Sequence, residues 1–258
     1  MGELAVIAVL LVVYDRVRAL ADVRSSVADA HGWSILHVES VLHLRIEDNL
    51  NDWLTQRGLV RVLAVDFYQY LHVSVALAVL VVCYLGRPGV YRPVRNALVL
   101  TNVVGLAVFA VYPAAPPRLL PGAGFVDSVA DAGFSTSHGP IAADQYGALP
   151  SLHLAWATWV AVAGFALTRH WAPRLLFVAY PVLTAIVVMA TGNHYVLDVA
   201  SGVLLGLAAT WATGLLPRRA GVLVGSAPST VVATHTLPGL SPAPLGPHWL
   251  LETESPEP

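Results

Sequence analysis

Residues 146–153 read Y-G-A-L-P-S-L-H, and residues 154–167 continue as L-A-W-A-T-W-V-A-V-A-G-F-A-L without a charge. That junction decides the fold: a histidine stands at the mouth of a membrane-length apolar run. Working outward, four more runs meet or approach the roughly 20 helical residues that cross a hydrocarbon core of about 30 Å. They lie at about 60–85, 96–112, 173–190 and 195–216, beside this one at 151–168. A first span over residues 1–21 makes six, although Asp15, Arg16 and Arg18 interrupt it. Lipid cannot satisfy exposed backbone groups, so each run is expected as a helix. The expected fold is all-α: a polytopic six-helix membrane bundle over residues 1–219, with interfacial amphipathic helices.

Composition agrees. The chain has 258 residues, 56% of them hydrophobic and 12% charged, about half the charge fraction of soluble domains. Its mean hydropathy is +0.66. All 14 basic residues are Arg, and the net charge of −2 argues against a nucleic-acid partner. The single cysteine, Cys83, excludes an intrachain disulfide and a thiolate metal cluster, and reads as a small core residue. The N-terminal run lacks the basic start and small-residue cleavage site of a signal peptide, so it reads as a retained helix.

Residues 22–58 mix charged groups with apolar residues at three- and four-residue steps, including Trp33, Ile35, Leu42, Ile46, Leu50 and Trp53. The pattern fits interfacial helices anchored by the two Trp, and reads as a collar on the bundle rather than as a substrate site. In the second run, Asp66, Gln69 and Tyr70 are spaced to share a helix face, with His72 just beyond. Ionisable groups in a span face a cavity or a partner. Asp66 and Tyr70 are therefore candidate substrate contacts, or else an interhelical hydrogen bond.

Basic residues cluster at residues 86–95, at Arg169 and Arg174, and at Arg218-Arg219. With six spans these fall on one side, which the positive-inside rule makes cytoplasmic. Arg16 and Arg18 run against that count. The expectation is a multi-pass plasma-membrane protein with both termini cytoplasmic, and with Arg118, His153 and His194 on the outer face. The loop 112–149 opens Y-P-A-A-P-P-R, a proline run that stops the helix and stiffens its exit. It carries Gly122, Gly124, Gly133, Gly139 and Gly147 as turn markers. The Pro-rich tail 220–258 reads as disordered and cytoplasmic.

Three outward-facing pieces carry chemistry. In G-N-H-Y-V-L-D, His194 and Asp198 are four apart on one helix face. A carboxylate beside an imidazole fixes its tautomer and leaves the other nitrogen to act. His153, at a second helix mouth on the same side, suits proton transfer to a leaving group. Helix N-termini attract anions through free N–H groups, and Ser151 adds a hydroxyl and an N–H there. Arg118, behind the prolines, offers a planar fork for phosphate. Together these describe a phosphate site, with Tyr112 and Tyr195 as further candidate substrate contacts.

In that order, Y-P-A-A-P-P-R, Y-G-A-L-P-S-L-H and G-N-H-Y-V-L-D resemble the three signatures of the type 2 phosphatidic acid phosphatase superfamily. The resemblance covers about residues 96–206. It is closest to the inositol phosphorylceramide synthase-like, or inositolphosphotransferase, branch, which has Pro-Ser-Leu-His where many lipid phosphatases have Pro-Ser-Gly-His. It implies a six-helix bundle and a metal-independent reaction with no cofactor, through a phosphohistidine. It also implies His194 as nucleophile, Asp198 as its orienter, His153 as general acid and then base, and Arg118 with Ser151 as phosphate ligands. Many members have Arg six residues before the nucleophile, where this chain has Val188, and the first signature lacks the Lys-and-Arg-Pro form. Fewer cations favour a phosphodiester over a dianionic phosphomonoester.

The expected activity is phosphotransfer or hydrolysis at the outer membrane face. A phospho-head group would move from a membrane lipid to a hydroxyl acceptor or to water. A lipid or polyprenyl pyrophosphate phosphatase is the alternative within enzymes. A lipid transporter or flippase would place its polar groups near the midplane rather than at span ends. A metal site built from the two histidines and Asp198 is a further alternative.

Overall fold

The computed structural model describes residues 2–133 and 145–216. In chain order its helices are α1 (Gly2–Val23), α2 (Ser25–Val41), α3 (Ile46–Thr55), α4 (Gly58–Asp66), α5 (His72–Gly86), α6 (Pro88–Val111), the single turn α7 (Ser128–Asp131), α8 (Leu152–Leu167), α9 (Trp171–Ala190) and α10 (Val196–Ala212). A π-helical stretch, Phe67–Leu71, joins α4 to α5, and a 3₁₀ turn, Pro117–Leu119, comes after α6. Among the described residues there are no strands; one isolated parallel bridge pairs Ala114 with Gly147. The tail 220–258, the basic point at Arg218-Arg219 and the Gly139 turn lie outside the described residues.

Among the described residues three continuous helices are long and apolar enough to cross a membrane: Gly58–Gly86, Pro88–Val111 and Trp171–Ala190. Helices α8 and α10 are apolar but have 16 and 17 residues, about 25 Å at 1.5 Å per residue. In α1, Arg18 pairs along the helix with Asp15 at 3.1 Å and Asp22 at 3.4 Å. Apolar side chains such as Val9, Val12, Leu63, Leu85, Leu176 and Leu204 stand exposed, as on a surface that faces lipid. The chain is a helical membrane protein. Three clear spans stand against the six expected, because charges interrupt α1 and because α8 and α10 are short.

Helix α8 is packed by α5, α6, α9 and α10. Trp159 on α8 is fully buried, and its indole N–H donates to the Val94 carbonyl at 2.8 Å. Around it lie Ala76, Val79, Cys83, Ala97, Val160 and Ala163, so Cys83 is a core residue, as expected. Helix α10 reaches α8 through Gly202 and Gly206, a Gly-x-x-x-Gly step. A Cβ at Gly206 would stand 2.6 Å from the Ala155 carbonyl oxygen, and one at Gly202 would overlap that of Ser151. Small residues let two helix backbones approach this closely. The contact sets the first turns of α8 and α10 side by side.

Residues of the expected collar fold as α2 and α3, and they bury polar groups alongside Ala28, Ile35, Leu36 and Leu54. Glu39, Glu47 and Asn51 are buried, while Trp33, Val38, Ile46 and Trp53 face outward. Outward aromatic and aliphatic groups suit a membrane interface. Asn51 fastens the inner face: its amide donates to the carbonyls of Ala190 and Val126, and its oxygen accepts the Val126 N–H at 2.9 Å.

Gly206→Val is expected to lower the melting temperature of the protein in detergent, overpacking costing about 1–3 kcal/mol. An unchanged melt would show that α8 and α10 do not meet there.

Candidate active site

Three loops meet where α6 and α9 end and α8 and α10 begin, and backbone hydrogen bonds tie each to the other two. The Ala114 N–H donates to the Tyr146 carbonyl at 2.7 Å, and the Ala148 N–H donates to the Ala114 carbonyl at 3.2 Å. The Arg118 N–H donates to the Gly192 carbonyl at 2.9 Å, and the Ser151 N–H to the Asp198 carbonyl at 3.1 Å. Gly192 turns with φ +72°, and a Cβ there would stand 3.1 Å from the Arg118 Cβ. The chain therefore needs glycine where α9 gives way to His194.

His194 is held at Nδ1 and turns Nε2 toward His153. Its Nδ1 lies 3.1 Å from the Ala148 carbonyl oxygen and 3.4 Å from Asp198 Oδ2. Both partners accept, so Nδ1 carries the proton and donates. The lone pair of the neutral ring is then at Nε2, which faces His153 Nδ1 at 3.4 Å. Asp198 is fully buried, and its Oδ2 also accepts the Tyr195 N–H at 3.1 Å. Opposite nitrogens of His194 meet Asp198 and His153, so the three groups do not converge on one point. Among the described residues no group of three or more His, Cys, Asp or Glu is arranged to hold a metal ion.

The Arg118 side chain is only 4% exposed. Its Nε donates to Asn193 Oδ1 at 2.8 Å and its Nη1 to Asp127 Oδ2 at 2.6 Å. Two fixed bonds on a planar fork orient the guanidinium as a flexible ammonium would not be oriented. A cavity of about 130 Å³ opens among Tyr14, Tyr68, Arg118, Leu152, His153 and His194, with Asn193 and Phe109 at its wall. Pockets for whole small ligands run to roughly 300–1,000 Å³, so this one has room for a phosphate and its nearest substituents only.

The π-helical stretch supplies a further wall. Tyr68 stacks on His153, ring centroids 4.6 Å apart at 24°. His72 meets the other side of the cluster at 4.7 Å from His153, and stacks on Trp156 at 5.0 Å. The Tyr180 hydroxyl lies 3.4 Å from His72 Nδ1. The His153 ring is thus pinned by aromatic neighbours while Nδ1 faces His194.

His153, His194, Asp198 and Arg118 lie together at this end; five other positions are placed differently. Ser151 is fully buried; its hydroxyl accepts the Leu154 N–H as the cap of α8, and its N–H is spent on Asp198. Tyr195 is fully buried and donates its hydroxyl to the Ala115 carbonyl at 2.8 Å. Tyr112 stacks on His31 of α2 at 3.8 Å. Asp66 and Tyr70 are exposed and do not line the cavity. The side they occupy points away from the site. Tyr68 and His72 face the site instead. The free helix N-termini also differ at α10, where Asp198 takes the Tyr195 N–H and Glu39 takes that of Leu197. Asn193 and Asp127 were not singled out from the sequence. The first sits inside the G-N-H motif, and the second carries no local signal.

Fold and site together define a helical membrane protein with a buried His–His–Asp–Arg cluster at one end of its bundle. A family model described as the PAP2 superfamily matches residues 33–212, and the chain belongs to that superfamily. Its members are generally phosphatases or phosphotransferases, which makes this chain a lipid enzyme of that type. No curated protein and no solved structure matches the chain. The match begins in α2, well ahead of residue 96, so most of the collar belongs to the family domain.

Tyr195→Phe is expected to cost about 1–3 kcal/mol of stability, because it strands the Ala115 carbonyl, and to leave affinity for orthovanadate unchanged. Weaker vanadate binding at an unchanged melting temperature would make Tyr195 a ligand contact after all.

Proposed function

We propose that the chain is an integral-membrane lipid phosphotransferase, working through a phosphohistidine on His194 at the outer membrane face. The observation that carries this reading is the orientation of His194: Nδ1 donates to the Ala148 carbonyl, and Nε2 is presented to the cavity and to His153. An imidazole fixed in that tautomer is a ready nucleophile. Its Nε2 forms a bond to phosphorus as the bond from phosphorus to the leaving oxygen breaks, and His153 gives that oxygen a proton. Asp198 supports the positive charge that develops on the His194 ring. In the second step a hydroxyl oxygen attacks phosphorus, its proton passes to His153, and the N–P bond breaks.

Arg118 offers its fork to the phosphoryl oxygens during both steps. Asp127, at 2.6 Å, already offsets part of its charge. A site with one such cation suits a phosphodiester monoanion better than a phosphomonoester dianion. That supports transfer of a phospho-head group from a phospholipid to a hydroxyl acceptor, as in the inositol phosphorylceramide synthase-like branch. With water as acceptor the same steps make a phosphatase, and a lipid or polyprenyl pyrophosphate is the alternative substrate. A lipid flippase fits less well, since the polar cluster lies at one end of the bundle. Ser151 and Tyr195 act in this scheme by holding the loops.

Purified protein incubated with labelled phospholipid should acquire acid-labile label at His194, with chelator present or absent. A polyol acceptor should then discharge it into a new phosphodiester. Undiminished turnover in His194→Ala would overturn the nucleophile assignment.

The sidedness belongs to the same proposal: six crossings, cytoplasmic termini and an outward site. In a Cys83→Ser background, Ala132→Cys is expected to react with a membrane-impermeant thiol reagent on intact cells. Reaction only after permeabilisation would invert the topology.

A further inference from the structure

The collar buries two acids beside the proposed site, and packing alone does not require either. Glu39 of α2 and Glu47 of α3 are both fully buried. Glu39 Oε1 accepts the Leu197 N–H at 2.6 Å, a bond between residues 158 apart in sequence. Leu197 is the second residue of α10 and immediately precedes Asp198. The bond is charge-assisted, made to the positive end of a helix, and among the stronger kinds of hydrogen bond. The remaining oxygens, Glu39 Oε2 and both of Glu47, have no hydrogen-bond partner among the described residues. The two carboxyl groups meet each other.

Ionised carboxylates only accept, so two of them in contact without a donor leave lone pair against lone pair. One proton turns that contact into a hydrogen bond. Among the described residues no cation is paired with them: Arg45, in the turn between the two helices, pairs with Asp48 at 2.6 Å. The other charged neighbours are acidic, Asp48 on α3 and Asp198 on α10, and Tyr195 is the remaining titratable group from α10. His37 and His43 of the collar face outward. Helix α9, packed along α3, brings Val187 and Ala190 to it.

We propose that Glu39 and Glu47 are positioning residues: one shared proton joins them into a carboxyl clamp that seats the collar on the first turn of α10 and so sets the angle at which Asp198 meets His194 behind the cavity. The functional part of this rests on the phosphohistidine reading of the site; the clamp itself does not. Burial, and then contact with Glu39, push the Glu47 carboxyl up to about 8 from an ordinary 4.5. Burial raises Glu39 as well, against the opposing pull of Glu47 and the Leu197 N–H. The folded chain therefore holds a proton that the unfolded chain releases. The clamp's contribution to stability is complete below about pH 4.5 and is lost as pH rises through about 8. Above that, two buried charges stand side by side next to Asp198, and the collar lifts from α10.

Glu47→Gln keeps a donor for Glu39 and cannot ionise. Full-length protein in detergent should show, by infrared spectroscopy, a protonated-carboxyl stretch that disappears near pH 8 and is missing from Glu47→Gln. The melting temperature of the natural protein should fall from about pH 4.5 to about 8 and then level off, without that fall in Glu47→Gln. Hydrogen exchange at the Leu197 amide, corrected for intrinsic rate, should accelerate by up to about tenfold per pH unit between about pH 4.5 and about 8 and level off above, in the natural protein only. Glu39→Leu should accelerate it at every pH. With a working substrate, the alkaline limb of kcat should move up by about a unit or more in Glu47→Gln. Melting and exchange curves of Glu47→Gln that superimpose on the natural ones would overturn the clamp. The infrared, melting and exchange readouts need no substrate. Absence of turnover beside an intact clamp signature would therefore count against the phosphohistidine reading alone. An unmoved alkaline limb in an active Glu47→Gln protein would overturn the positioning role.

Discussion

Four backbone hydrogen bonds hold the active end of this protein together. They run from Ala114 to Tyr146, from Ala148 to Ala114, from Arg118 to Gly192 and from Ser151 to Asp198. Buried backbone groups must find partners, and these loops find them in one another and in the ends of α2, α9 and α10, as in the Ala115 N–H to Ala28 carbonyl bond at 2.9 Å. The consequence is chemical: once the loops are joined, the Ala148 carbonyl can lie only near His194 Nδ1, and the tautomer of the ring is set by it. Prolines at 113, 116 and 117 remove donors that would otherwise need partners here.

The collar extends the same logic. A helix at a lipid interface has an outer face already satisfied by lipid, so its inner face is free to carry polar groups. Glu39, Glu47 and Asn51 occupy that face and reach the amides and carbonyls that the loops leave open at α10, Val126 and Ala190. His31 adds a contact from its Nδ1 to the Pro113 carbonyl at 2.7 Å. The family match starts within α2, in keeping with a collar that is part of the machinery.

Much of the site was legible because its main residues lie within short motifs at helix mouths. His194 and Asp198 are four apart, so helical geometry alone puts them on one face. His153 and Arg118 are marked by their places at span ends. Tyr68 and His72 were not legible as site residues, because nothing local tells which side of an apolar run turns toward His153. Ser151 and Tyr195 look exposed to substrate in sequence, since a loop residue beside a histidine has no visible partner. Their partners, Leu154 and Asp198 for one and Ala115 for the other, become visible only when the loops are packed.

By itself the sequence determined the helical membrane class, the order of the helices and the four residues at the centre of the site. Hydropathy over about 20 residues and spacing within a turn are local properties, and they survive any tertiary arrangement. Only the tertiary structure decided which nitrogen of His194 turns toward His153, which aromatic rings pin His153, and what the collar touches. Those depend on contacts between residues up to 158 apart, and on Gly202 and Gly206 bringing two helix backbones close enough to align their first turns. No local pattern encodes such distances; close packing does.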